Sequence, residues 1–376
     1  MKKLSLILSV LCIGWTLSAQ PGIISTREAN DQGGKVLTME ETILSRELSP
    51  ATIHTMWDDD GTLLMYKDGK FKTYDIATGT YSDYTGKNKL SMQAVSKNGS
   101  LYVIYANGAE RLVAERENDQ ITYGEYVSRN EFGIDGGTFW APNNRKVAFY
   151  RKDESKVTSF PLLDITTRTG SLKEIKYPMA GMDSENVQLG IFDVVTGETV
   201  YAAVDDFGYD RYLTNITWSP DGDMIYIQVL DRSQKHLKLN AYSAQTGDFI
   251  KTILTEDNEK YVEPFDPLYF IKDQNFFIYR TANRDGYRNL YLCDNDGNIR
   301  RLTSVDADVK YVGNDGRYVY YTSAEVSPVE NHLFRIEIKN LKKGVAKASF
   351  GKPQRLTFAE GWHEIQLRPD CRHFID

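Results

Sequence analysis

The chain has 376 residues, with 45 Lys and Arg against 52 Asp and Glu, a formal net charge of −7, and 12% aromatic residues including 24 Tyr. That acidic balance argues against nucleic acid or an anionic membrane surface as partner, since either would be met by a basic patch. Three cysteines are too few for a disulfide framework.

Residues 1–19 read as an export signal. Lys2 and Lys3 precede the apolar run Leu4 to Leu17, and Leu17-Ser18-Ala19 offers a small-residue cleavage site. The run is too short to span a membrane, and nothing later in the chain is long and apolar enough to do so. A secreted or periplasmic protein is expected. Cleavage would remove Lys2 and Lys3, moving the charge from −7 to −9, and would remove Cys12. Cys293 and Cys371 would then remain in a compartment that permits a bridge, but spacing does not give their geometry, and two idle thiols are the expected state. Residues 20–45 form an N-terminal segment, and 46–376 read as one β-domain.

That domain is built of short β-type runs punctuated by Asp-Gly, Asn-Gly and Thr-Gly pairs, the pattern of many antiparallel strands. One half-unit is a turn followed by an aromatic-rich strand. It occurs at Asp60-Gly61, Asn98-Gly99, Trp140-Ala141-Pro142, Trp218-Ser219-Pro220-Asp221-Gly222, Asp273 to Asn275, Asp315-Gly316 and Pro369-Asp370. The other is a hairpin, at Asp75 to Gly79, Asp193 to Gly197, Ser243 to Gly247 and Asp294 to Gly297. Units of roughly 40–50 residues and four strands are the signature of propeller blades, which stack because one blade cannot bury both its faces. An ordinary β-sandwich is the alternative, but it gives no reason for these turns to recur in register. An irregular insert is expected at 153–186, of the kind that sits on one face and binds. A short helix or a loop is expected near 339–349, and a last blade left incomplete at Phe374-Ile375-Asp376.

In their order, several tracts resemble the propeller of the dipeptidyl peptidase IV family, most of all the bacterial prolyl tripeptidyl peptidases. They are Arg129 to Ile134, Phe139-Trp140-Ala141-Pro142, Tyr177 to Gly181, Leu213 to Pro220, Tyr261 to Pro264 and Arg284 to Tyr287. The resemblance covers nearly all of the chain after the signal and implies an eight-bladed propeller ahead of an α/β-hydrolase domain with a catalytic serine, aspartate and histidine. It also implies a role for Glu131, because many dipeptidyl members carry two adjacent glutamates here to hold the substrate's amino group. This chain has Asn130-Glu131, and the single acid resembles the tripeptidyl form.

The chemistry suits the assignment. An α-ammonium about 4 Å from a carboxylate in a partly desolvated cavity gains on the order of 4 kcal/mol before desolvation costs, and a charge-assisted hydrogen bond fixes its direction. The bland reading of Glu131 is a solvated loop acid paired with Arg129. Asn130 and Glu125 are weaker candidates for the same role, and a solvated turn acid is favoured for Glu125. Trp140, Trp218, Tyr150 and Tyr226 read as core between blades rather than as a prolyl pocket.

Catalytic and metal motifs are missing. Gly-x-Ser-x-Gly occurs nowhere, and His54, His236, His332, His363 and His373 have no serine or cysteine in a recognisable context. His363-Glu364 lacks the second histidine of a zinc helix, since position 367 is Leu367, so neither metal nor cofactor is expected.

The chain is thus expected to be the gating, N-terminus-anchoring propeller of a secreted prolyl-specific serine exopeptidase that releases di- or tripeptides, not catalytic by itself. Its expected partners are peptides with a free N-terminus and a hydrolase domain in the full-length protein, with a homodimer as a candidate assembly. The alternative is a stand-alone secreted propeller that binds peptides or proteins.

Overall fold

The computed structural model describes residues 38, 42, 53–84 and 92–376, so the export signal and most of the segment at 20–45 lie outside the described residues. The described chain forms two compact units. One holds 53–58 and 62–84, the other 59–61 and 92–376.

The first unit is a four-stranded antiparallel meander of β1 (Thr55–Trp57), β2 (Leu63–Lys67), β3 (Lys70–Asp75) and β4 (Thr80–Asp83). Asp68 and Gly69 join β2 to β3 with φ of 53° and 82°, the paired positive φ of a two-residue hairpin whose twist matches its strands. Between β3 and β4 the Asp75 carboxylate accepts the N–H groups of Ala77 and Thr78, and the Gly79 N–H returns to the Asp75 carbonyl at 2.8 Å. The same closure recurs in the second unit at Asp193 to Gly197 and at Ser243 to Gly247, so the repeat legible in the sequence is a repeat of hydrogen bonds.

The second unit opens with a three-stranded sheet, β5 (Gln93–Lys97), β6 (Ser100–Ile104) and β7 (Glu110–Ala114). Next come β8 (Ile121–Tyr123), β9 (Thr138–Trp140) and β10 (Lys146–Asp153). After an excursion through β11 (Ser159–Asp164) and β12 (Ser171–Lys176), the chain returns as β13 (Asn186–Asp193) and β14 (Thr199–Tyr201). These make a sheet in the order β14-β13-β10-β8, with β9 also on β10, while β11 and β12 pair only with each other. Four-stranded meanders follow, first β15 (Arg211–Trp218), β16 (Met224–Asp231), β17 (His236–Ser243) and β18 (Phe249–Asp257), then β19 (Tyr269–Phe270), β20 (Phe277–Thr281), β21 (Asn289–Cys293) and β22 (Ile299–Arg301). A five-stranded sheet holds β23 (Val309–Asn314), β24 (Tyr318–Ser323), β25 (His332–Lys339), β26 (Ser349–Phe350) and β27 (Gln354–Arg355), and β28 (Gln366–Leu367) pairs with β29 (Phe374–Ile375).

This is an all-β propeller fold, and within the second unit successive sheets share cores. Leu101 and Val103 pack with Phe149 and Phe192, Tyr150 and Leu189 with Ile225 and Ile227, Tyr226 and Leu239 with Phe277 and Tyr291, and Ile278 and Leu292 with Val319 and Tyr321. Buried aromatics also tie sheet to sheet by hydrogen bonds. Tyr150 donates to the Leu213 carbonyl at 2.7 Å, Trp218 to the Phe139 carbonyl at 3.0 Å, and Tyr226 to Asn295 at 2.9 Å. Trp140 packs at the edge of the core around Leu101 and Phe149, so all four aromatics lie between blades.

Two expectations change. The described residues form six blades, not eight, because β11–β12 and β28–β29 stay two-stranded where a blade needs about four strands. The insert at 153–186 is not irregular throughout, since Ser159–Asp164 and Ser171–Lys176 pair as an antiparallel hairpin along six residues each. The patch at 339–349 holds two short 3-10 helices, Leu341–Lys343 and Val345–Lys347, in line with the short helix expected there. Cys293 is buried, Cys371 half-buried, and both are free thiols. No helix among the described residues is long and apolar enough to cross a membrane.

Candidate functional site

The tract singled out by the sequence lies between two pinned ends. Val127 and Ile134 are buried in the core shared by the third and fourth blades, and the chain between them must cross a short gap. It does so through a distorted 3-10 segment, Ser128–Gly133, in which Ser128, Arg129, Asn130 and Phe132 all take left-handed backbone angles, with φ of 52°, 52°, 64° and 58°. None is glycine, so each costs on the order of 1 kcal/mol. Glu131 alone in this stretch is extended, at φ −68° and ψ 162°. Its neighbours absorb the strain, and its side chain is thrown outward.

Several contacts hold this backbone. The buried Glu185 carboxylate accepts the Ser128 N–H, and the Asn130 amide donates to the Ile134 carbonyl at 3.1 Å. Phe132 lies 4.7 Å from the Tyr212 ring and packs on Leu230, Leu237 and Val262. Gly133 has φ 72°, and a Cβ there would stand 2.8 Å from the Phe265 carbonyl oxygen, so only glycine fits.

Glu131 lines a cavity of about 330 Å³ together with Ser128, Arg129 and Phe132 of its own segment. The insert contributes Pro178, Ser184 and Glu185, and the fourth blade contributes Arg211, Tyr212, Arg232 and Gln234. Among the described residues the Glu131 carboxylate has no cation and no hydrogen-bond donor of its own. Arg129, the partner the sequence offers it, instead places its guanidinium 4.8 Å from the centre of the Tyr177 ring. Beside the lining residues Ser184 and Arg232, Asp210 accepts from the Ser184 hydroxyl at 2.7 Å and lies 3.8 Å from Arg232, which donates to the Tyr212 hydroxyl at 2.7 Å. Burial pushes the Tyr212 phenol up and the Arg211 guanidinium down from their ordinary values.

The weaker candidates fall elsewhere. Asn130 spends its amide on the loop, and Glu125 pairs with Lys152 at 3.4 Å away from the cavity lining. Lys152 also reaches Glu154 at 3.7 Å, whose carboxyl is raised by burial and by the charges of Glu185 and Glu125. Among the described residues no group of three or more His, Cys, Asp or Glu side chains is arranged to hold a metal.

A family model for the dipeptidyl peptidase IV (DPP IV) N-terminal region matches residues 70–376. The chain belongs to that family. It is similar to a probable dipeptidyl-aminopeptidase B of Pyrenophora teres f. teres, 23% identical over an alignment of 398 positions that covers 89% of this chain and 42% of the relative. It is also similar to the dipeptidyl-aminopeptidase B of Aspergillus niger, 25% identical over an alignment of 324 positions that covers 73% of this chain and 36% of the relative. Among solved structures, a candidate dipeptidyl aminopeptidase IV of Bacteroides ovatus matches at a TM-score of 0.64 and 30% identity, covering 90% of this chain and 51% of that one. Dipeptidyl peptidase 4 of Porphyromonas gingivalis matches in fold at a TM-score of 0.67 and 23% identity, covering 90% and 50%. The chain therefore spans less than half the length of the curated relatives named here.

Within this dipeptidyl peptidase IV propeller, sequence reasoning places Glu131 at the cavity but misses Glu185, Arg211 and Arg232. Each stands some 55–100 residues downstream, on the insert or the fourth blade, and only strand pairing and blade packing bring them to Glu131. The nearest signal is the Tyr177 to Gly181 tract, which delivers Pro178 to the cavity.

Proposed function

We propose that this chain is the substrate-gating propeller of a secreted or periplasmic serine exopeptidase, in which Glu131 grips the free N-terminus of a peptide and di- or tripeptides are released after proline. The single observation that carries this reading is the Glu131 carboxylate, without a partner among the described residues and held in a cavity by four left-handed neighbours. An unpaired carboxylate in a recess favours a cation, and an α-ammonium is the cation that separates a peptide's end from its interior. Asn130 beside Glu131 leaves one acid where many dipeptidyl members have two, which favours the longer product.

Bond cleavage belongs to a hydrolase domain of the full-length protein, since this chain carries no Gly-x-Ser-x-Gly. An intact mass from the source cells larger by roughly 200–300 residues would support that part, and a mass near that of this chain would overturn it. The anchor is tested by calorimetric titration with Ala-Ala-Pro-amide and its N-acetyl form. Binding should need the free amine and should lose that requirement in Glu131→Gln; equal binding of the two peptides would sink the reading.

A further inference from the structure

Five charged side chains line the cavity. Arg129, Arg211 and Arg232 stand there with Glu131 and Glu185, and Asp210 lies beside Arg232 at 3.8 Å. Two of the five are already engaged. Glu185 accepts the Ser128 N–H, and Arg232 has Asp210 at 3.8 Å and the Tyr212 hydroxyl at 2.7 Å. If an ammonium neutralises Glu131, Arg129 and Arg211 are left over.

Both are built to receive an anion. Among the described residues Arg129 pairs with no carboxylate, and the Tyr177 ring 4.8 Å away orients its guanidinium plane without neutralising it. Arg211 donates to the carbonyls of Val204 at 2.7 Å, Asp206 at 2.9 Å and Gly208, and forms no ion pair with a carboxylate. Its Nε–H is buried without an acceptor among the described residues. A buried donor left unmade is costly, and a guanidinium pairs well with a carboxylate.

We propose that the cavity selects peptides that present a carboxylate as well as a free ammonium, the carboxylate lying against Arg129 and the Arg211 side of the cavity. This rests on the reading of Glu131 as the N-terminus anchor. The carboxylate has two sources, an acidic side chain near the N-terminus or the C-terminal carboxyl of a short peptide end.

Four peptides separate the outcomes when the purified protein is titrated calorimetrically: Ala-Asp-Pro-amide, Ala-Asn-Pro-amide, Ala-Asn-Pro with a free carboxyl, and N-acetyl-Ala-Asp-Pro-amide. The Asp amide, the free acid or both should bind roughly tenfold or more tightly than the Asn amide, a gain expected of a charge-assisted bond in a partly dry site. A gain with the Asp amide alone assigns the side chain as source, and a gain with the free acid alone assigns the C-terminus. Arg129→Gln should erase the gain, and Arg129→Glu should reverse it in favour of a Lys analogue. Equal affinity of the first three peptides overturns the proposal. If acetylation makes no difference, the anchor reading fails instead, whatever the carboxylate does. Failure of all four to bind overturns both.

Discussion

The buried carboxylate of Glu185 accepts the backbone N–H of Ser128, 57 residues away, and so fastens the insert to the segment that carries Glu131. Ser128 is the first of the left-handed residues, and a segment of that kind persists only where its surroundings over-determine it. With Glu131 as the anchor, Glu185 would act on the ligand through the loop. Glu185→Ala should leave the Ser128 N–H without its acceptor, lower stability by about 1–3 kcal/mol, and weaken selection for a free N-terminus. Glu185→Gln keeps an acceptor oxygen and should restore most of both. Thermal melts and titration with free and acetylated peptide read the two effects, and an alanine variant that discriminates as well as the parent would remove Glu185 from this role.

Gly133 closes the same segment from the other side. At φ 72°, with the Phe265 carbonyl oxygen 2.8 Å from where a Cβ would be, Gly133→Ala faces both backbone strain and a clash with main chain. The cost should exceed about 1 kcal/mol, and peptide affinity should fall because Phe132 and Glu131 move with it. Gly136, three residues on, has no atom within 4 Å of its added Cβ and no positive φ, so Gly136→Ala serves as the control. Urea midpoints of the two variants should separate clearly. Matching midpoints would mean that the loop relaxes without strain.

The legible and illegible parts of this molecule divide along physical lines. Hairpin turns such as Asp68-Gly69 and Asn98-Gly99, and capped loops such as Asp193 to Gly197, are local devices, so residue type alone gives their geometry. Their recurrence gives the blades. The number of blades is not local: β11–β12 has strand character like any other pair, and only its failure to meet a third strand makes it a hairpin rather than a blade. Glu131 is legible because its tract resembles a family's. Its freedom from Arg129 is not, since the Tyr177 ring that draws Arg129 away arrives from the insert. Asn130 reads as a second polar ligand in the sequence and turns inward in the structure to bond Ile134.

One buried acid predicts a pH dependence with a definite sign. Burial pushes the Glu256 carboxyl above its ordinary value, opposed by the Thr281 hydroxyl at 2.8 Å and by Arg284 at 3.3 Å. The folded chain therefore keeps this proton to higher pH than the unfolded chain does. Its contribution to stability is full below the ordinary glutamate value and is lost as pH rises through the folded value, because between the two the native state binds more protons. Glu256→Gln carries no such proton. As pH rises above the ordinary glutamate range the variant should lose less stability than the parent. Denaturation curves that shift in parallel over that rise would show that Glu256 titrates normally.

Hydrogen bonds between blades should matter to cooperativity as well as to stability. Tyr150 of the third blade is 1% exposed, and its hydroxyl reaches the Leu213 carbonyl of the fourth at 2.7 Å. Tyr150→Phe keeps the ring, which still packs against Phe139, and removes only the donor, leaving a buried carbonyl short of a partner. The expected loss is about 1–3 kcal/mol. Since Val127 and Ile134 sit in the same core as Tyr150, the loss should also reach the Glu131 segment. Hydrogen exchange would then rise at the amides of residues 127–134 together with those of β15 in Tyr150→Phe. A rise confined to β15 would show that the third blade and the anchor segment unfold independently.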